Sequence, residues 1–187
     1  MMKAVIFDLD GTLVHTAPEY RYIVVGKVLH ELGPPFSKKY IDEFWFGLDR
    51  DRIVEECFNL NPGVFWETYK KYDDPQYRKR FMELYDDVDF IYELKENGFK
   101  TGIVTSAPSR IINVEMEMLP LFDAAVRAQL SSGVNPKPHP DGLEKCLEIM
   151  KIENNEALYV GNGEEDILAA KSAGVLDVLI DRGEYEF

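Results

Sequence analysis

The chain has 187 residues and a net charge of −13, from 21 basic and 34 acidic side chains. At 45% hydrophobic and 12% aromatic it is too apolar for a disordered chain, and it is long enough for one domain carrying an insertion. The acidity argues against a nucleic-acid binder, no apolar run nears the ~18 residues that cross a bilayer, and Cys57 and Cys146 are too far apart for a CxxC site. In chain order, Lys3–Asp8 is a short β-branched run that reads as a buried strand of a parallel sheet. Acids interrupt the N-terminal apolar stretch too early for a signal peptide, so a reducing cytoplasm is expected.

Residues 14–87 break with the rest. They are rich in aromatics, and Gly33-Pro34-Pro35, Asn61-Pro62-Gly63 and Asp73-Asp74-Pro75 punctuate them, which predicts about four helices. In the first of these, Ile23, Val24, Lys27, Val28 and Glu31 mark the helical period. The aromatics are expected to form a core. This segment also holds 11 of the 21 lysines and arginines, which makes it a place to look for contacts to an anionic ligand.

From residue 88 onward, strands and helices alternate. Runs like the first recur at Lys100–Thr105, Ala124–Ala128, Ala157–Gly161 and Leu176–Ile180. Between them, helices are predicted over Asp89–Asn97, Pro108–Leu119, Asp141–Ile152 (with Leu143, Leu147 and Met150 on one face) and Glu164–Ala173. The pattern predicts an α/β, Rossmann-like doubly wound parallel sheet formed by residues 1–13 and 88–187, with an inserted α-helical cap at 14–87.

The first strand runs into Asp8-Leu9-Asp10-Gly11-Thr12. Carboxylates at i and i+2 point the same way if the chain stays extended, and the carboxyl ends of parallel strands are where such sheets bind ligands. Gly11 permits a sharp turn. Two acids this close resist ionising together without a cation, and Mg²⁺ suits hard oxygen ligands. The blander reading is that Asp10-Gly11 is a turn and Asp8 a helix cap. His15, His30 and His139 have no ligand spacing, and Gly161-Asn162-Gly163 followed by acids would repel a pyrophosphate of a dinucleotide.

The string Asp8, Asp10, Gly11, Thr12 resembles the first motif of the haloacid dehalogenase superfamily of phosphohydrolases. The strand ending Ile103-Val104-Thr105-Ser106 and the proline-framed Pro136-Lys137-Pro138 resemble the next two, in order, and the strand, glycine and acidic turn of Tyr159–Ile167, running into Ala169–Gly174, resemble the fourth. The resemblance covers residues 3–13 and 88–182; residues 14–87 match it only in position and helical character.

The resemblance implies that Asp8 is the nucleophile and that Asp10 is the general acid and base. Thr105, Ser106 and Lys137 would hold the phosphoryl group. Mg²⁺ would rest on the Asp8 carboxylate, the Asp10 carbonyl, Asp166 and Asn162. It also implies that the first strand lies at the centre of the sheet. Asn162 departs from the family pattern, which has an acid there, and Glu165 is a spare carboxylate. A dehalogenase is disfavoured, because Asp10 suits phosphoryl chemistry.

The expected activity is Mg²⁺-dependent hydrolysis of a small phosphorylated metabolite through an aspartyl-phosphate. An intramolecular phosphomutase, or a catalytically weak protein that binds or senses a phosphorylated ligand, stays open. No pattern names the substrate or the oligomeric state.

Overall fold

The computed structural model describes residues 1–184, so the last three positions of the expected 88–187 segment lie outside it. In chain order the elements are β1 (Ala4–Phe7), β2 (Val14–Thr16), α1 (Pro18–Leu32), α2 (Lys38–Phe46), α3 (Arg50–Phe58), α4 (Pro62–Tyr72), α5 (Pro75–Arg78), β3 (Met82–Leu84), α6 (Phe90–Glu96), β4 (Lys100–Thr105), α7 (Ser109–Met116), β5 (Ala124–Arg127), α8 (Asp141–Met150), β6 (Ala157–Gly161), α9 (Glu164–Ala173) and β7 (Leu176–Leu179). Two compact units result: Met1–His15 together with the chain from Glu83 onward, and Thr16–Met82. The chain passes between them along the two-stranded ribbon of β2 and β3, which the sequence did not announce.

The first unit is a parallel sheet in the order β5-β4-β1-β6-β7, so β1 is central as expected. Strand side chains alternate faces, and the period shows in the packing. Ala4 and Ile6 of β1, Ala157 and Tyr159 of β6, and Ala124 and Val126 of β5 share one core with Leu143, Cys146, Leu147 and Met150 of α8 and with Ala169, Ala170 and Ala173 of α9. The predicted face of α8 is therefore the buried one, and Cys146 is a packing residue.

β7 departs from expectation. It reads as a buried run, yet Leu176 is 56% exposed, with Val178 and Leu179 also open. As an edge strand, β7 has a sheet neighbour on only one side, β6.

In the second unit the breakers act as helix boundaries. Gly33, at φ +94, ends α1 in the left-handed region. Asn61 and Asp74 cap α4 and α5 with their side chains, each followed by a proline in the first turn. The aromatics do form the core: Phe44, Phe58 and Phe65 are buried, with Phe44 and Phe65 rings 5.0 Å apart.

The buried stripe of α1 is Tyr20, Arg21, Val24, Val25, Val28 and Leu29. Lys27 and Glu31 are exposed and lie off that stripe, so the helical period read from the sequence was right but its phase was shifted. Several cations of this unit are engaged within it. Arg21 Nε lies 2.6 Å from Asp42, Lys71 pairs with Glu31, and the buried Arg78 reaches the Thr16 hydroxyl at 3.3 Å. No helix among the described residues is long and apolar enough to cross a membrane.

Candidate active site

The site is built on the carboxyl ends of three adjacent strands of the first unit. β1 hydrogen-bonds onward through Asp8, whose N–H donates to the Val160 carbonyl at 2.8 Å. The chain then turns. The Leu9 carbonyl accepts from the N–H groups of Thr12, Leu13 and Val14, and Gly11 stands at φ +84, which a side chain would disfavour. The chain thus folds back around Asp10 and Gly11, and Asp10 bridges to Val14. Asp8 stays with the strand, and Asp10 sits half-buried in the turn.

Lys137 approaches from the loop ahead of α8. Its ammonium lies 2.7 Å from Asp8 Oδ1 and 2.5 Å from Asp166 Oδ1, and all three groups are buried. Asp166 lies in the first turn of α9 and folds back over the end of β6. A Cβ on Gly161 would meet its side chain at 2.3 Å, so only glycine leaves room there. Asp166 Oδ2 accepts from the Gly163 N–H at 2.9 Å, an N-terminal capping contact as well as a site contact.

Tyr159, in β6, completes the cage. Its hydroxyl is 3.3 Å from Lys137 Nζ, 2.9 Å from Asp166 Oδ1 and 3.0 Å from the Val104 carbonyl. It opens the fourth motif, but the sequence assigns it no role, although a tyrosine at a core-facing strand position needs a partner for its hydroxyl and so points to a buried polar centre.

The electrostatics follow from burial. Desolvation pushes the Asp8 carboxyl up to about 7, and the Asp166 charge adds to this while Lys137 opposes it. Burial works to lower Lys137, but Asp166 and Asp8 outweigh it and hold the ammonium above its ordinary range. Lys137 is therefore a fixed positive charge across the accessible pH range.

The other expected residues surround this cage. Asn162 packs against motif one: the Thr12 hydroxyl is 3.2 Å from Asn162 Oδ1 and 3.4 Å from Asp8 Oδ2, and its one proton serves one acceptor at a time. Thr105 is buried at the end of β4, where its Oγ1 accepts from the Ala107 N–H at 3.1 Å. Ser106 Oγ accepts from the Lys137 N–H at 3.1 Å and so ties the second motif to the third.

Among the described residues, no three His, Cys, Asp or Glu side chains gather as a metal-binding group. The expected ligands (Asp8, the Asp10 carbonyl, Asn162 and Asp166) are all hard oxygens. In kind they fit Mg²⁺; in charge they offer it little, since Lys137 already neutralises one of the two carboxylates.

A parallel α/β sheet with a buried carboxylate–lysine–carboxylate cage at its carboxyl edge belongs to an enzyme of the phosphohydrolase class. More particularly, the chain belongs to the haloacid dehalogenase-like hydrolase family, whose profile matches residues 5–180. It is 32% identical over 183 residues to "Putative pyrophosphatase PpaX" of Caldanaerobacter subterraneus subsp. tengcongensis, covering 96% of this chain and 81% of that one. To the pyrophosphatase PpaX of Bacillus cereus it is 28% identical over 180 residues, covering 92% and 80%. Among solved structures, one titled "putative phosphoglycolate phosphatase" from Lactobacillus plantarum superposes with a TM-score of 0.79 at 25% identity, over 95% of this chain and 86% of that one.

Proposed function

We propose that the protein is a phosphatase that cleaves a small phosphorylated compound through an aspartyl-phosphate on Asp8, with Mg²⁺ as cofactor. The observation that carries this reading is the buried Lys137 ammonium, held between Asp8 and Asp166 at 2.7 and 2.5 Å. With Lys137 on Oδ1, Asp8 Oδ2 is the attacking oxygen. It forms the new bond to phosphorus as the bond to the leaving oxygen breaks, and Asp10 protonates that oxygen. Asp10 then takes a proton from water as the water attacks phosphorus, which releases phosphate and regenerates Asp8. Lys137, the Thr105 hydroxyl and the Ser106 N–H answer the charge that spreads over the phosphoryl oxygens. When bound, Mg²⁺ would supply further positive charge beside those oxygens.

The names of the relatives point to inorganic pyrophosphate and phosphoglycolate as first substrates to try. A panel that adds p-nitrophenyl phosphate, sugar phosphates and nucleotides, run with and without Mg²⁺, tests the reading. Binding of phosphate without turnover of any member would instead favour a protein that binds phosphorylated ligands without cleaving them.

Two further outcomes are expected. Asp10→Asn keeps the shape and removes proton transfer, so turnover falls about 10²–10⁴-fold while the inhibition constant for phosphate stays within a few-fold. An unchanged rate on substrates with poor leaving groups contradicts the role given to Asp10. Asn162→Asp adds one negative charge beside Thr12, at a site with few charged ligands. Wild-type activity is expected to saturate only at millimolar Mg²⁺. The variant lowers the half-saturating concentration by about tenfold, the equivalent of ~1.4 kcal/mol. A metal titration in which the variant needs as much Mg²⁺ as wild type, or more, rejects the charge deficit as the limit.

A further inference from the structure

Beyond the four motifs, one side chain reaches into the phosphoryl-binding turn. Gln129 follows β5, and its Nε2 donates to two successive carbonyls, Ser106 at 3.1 Å and Ala107 at 2.7 Å. Just ahead of them, the Thr105 carbonyl accepts from the Ala128 N–H at 2.9 Å. In a regular strand successive carbonyls alternate sides. Here Thr105 and Ser106–Ala107 are bound by consecutive residues, Ala128 and Gln129. In a trans peptide the N–H that follows a carbonyl points the opposite way. β4 lies between β5 and β1, so a Thr105 carbonyl turned toward β5 aims the Ser106 N–H toward β1, the strand that ends in Asp8. The Ser106 carbonyl, turned to Gln129, likewise directs the Ala107 N–H to the Thr105 hydroxyl. Accepting there, that hydroxyl keeps its own proton to donate.

We infer that Gln129 is a positioning residue for phosphate affinity: its amide continues the work of β5 past the end of the strand and turns the Thr105 hydroxyl and the Ser106 N–H toward the phosphoryl group. This rests on the phosphatase reading above. Gln129 also begins the segment that leads to Lys137, with its own carbonyl accepting from Ser132 and Val134, so it joins the second motif to the third through side chain and backbone alike. No sequence pattern marks it.

The test uses the full-length protein, Gln129→Glu and Gln129→Met. Glutamate keeps the shape but offers oxygens to carbonyls; methionine keeps the length and is uncharged. Inhibition of p-nitrophenyl phosphate turnover by inorganic phosphate is measured together with the half-saturating Mg²⁺ concentration and the melting temperature. Both variants are expected to raise the phosphate inhibition constant about tenfold while the Mg²⁺ midpoint stays within about twofold. An inhibition constant within threefold of wild type in either folded variant overturns the inference. So does a parallel loss of phosphate and Mg²⁺ affinity, which marks general damage. If the wild type neither turns over substrate nor binds phosphate, the phosphatase reading itself fails and takes this inference with it.

Discussion

Asp8→Asn is expected to lower the turnover of any phosphorylated substrate by at least about a thousandfold, the scale on which loss of a nucleophile acts. The amide is isosteric and still faces Lys137, so the loss isolates nucleophilicity from shape. The same variant makes a second, opposite-looking prediction about stability. Asp8 is pushed up to about 7 in the folded protein, from an ordinary value near 3.8. The fold therefore holds the proton more tightly than the unfolded chain does. The protonated group's contribution is present in full below the ordinary value and is lost as pH rises toward 7. At pH 8 the ionised carboxylate is a net cost, and Asp8→Asn should melt no lower than wild type there. A variant that keeps more than a tenth of wild-type rate contradicts the assignment, and one that melts well below wild type at pH 8 contradicts the stability account.

Lys137→Met should be the most damaging substitution to the fold and the site together. It leaves Asp8 and Asp166 buried with no cation between them, and removing one partner of a buried ion pair costs about 3–5 kcal/mol. It also withdraws the fixed charge that answers the phosphoryl oxygens, worth about 10²–10³ in rate. The stability loss should depend on pH in a stated direction. Without Lys137, Asp8 loses the charge that opposes the effect of its burial and holds its proton more tightly when folded, so the deficit against wild type shrinks as pH falls from 8 to 5. Urea unfolding at the two pH values measures it. Equal deficits at both would mean that the cage is not held together by charge.

Much of this was legible before the fold was seen. The β-branched run ahead of Asp8 and the alternation after residue 88 are local signals for a parallel sheet, while the central place of β1 followed only from the family resemblance. The site residues sit where strands end, so the motif order already implied their convergence. What escaped was what depends on neighbours. Leu176, Val178 and Leu179 read as buried because composition cannot tell an edge strand from a central one. On α1, Val24 and Val28 lie on the buried stripe while Lys27 and Glu31 do not, and the stripe takes in Arg21, a cation that pairs with Asp42. Tyr159 opens the fourth motif but was given no role, and Gln129 lies outside every motif; both act through contacts at distant sequence positions, Lys137 for the one and Ser106 for the other. The glycine of the fourth motif was legible as a turn signal but not as the space that Asp166 occupies.

The central claim is that a phosphoryl group passes through Asp8, and the aspartyl-phosphate can be trapped. The enzyme is mixed with a substrate it turns over and quenched at early times. Borohydride then reduces the acyl phosphate to the alcohol, and peptide mapping by mass spectrometry locates the homoserine that replaces aspartate. The account predicts homoserine at position 8, only when substrate was present and not in Asp8→Asn. Substrate turnover with residue 8 unmodified at every quench time, or homoserine at Asp10 or Asp166 instead, would contradict it.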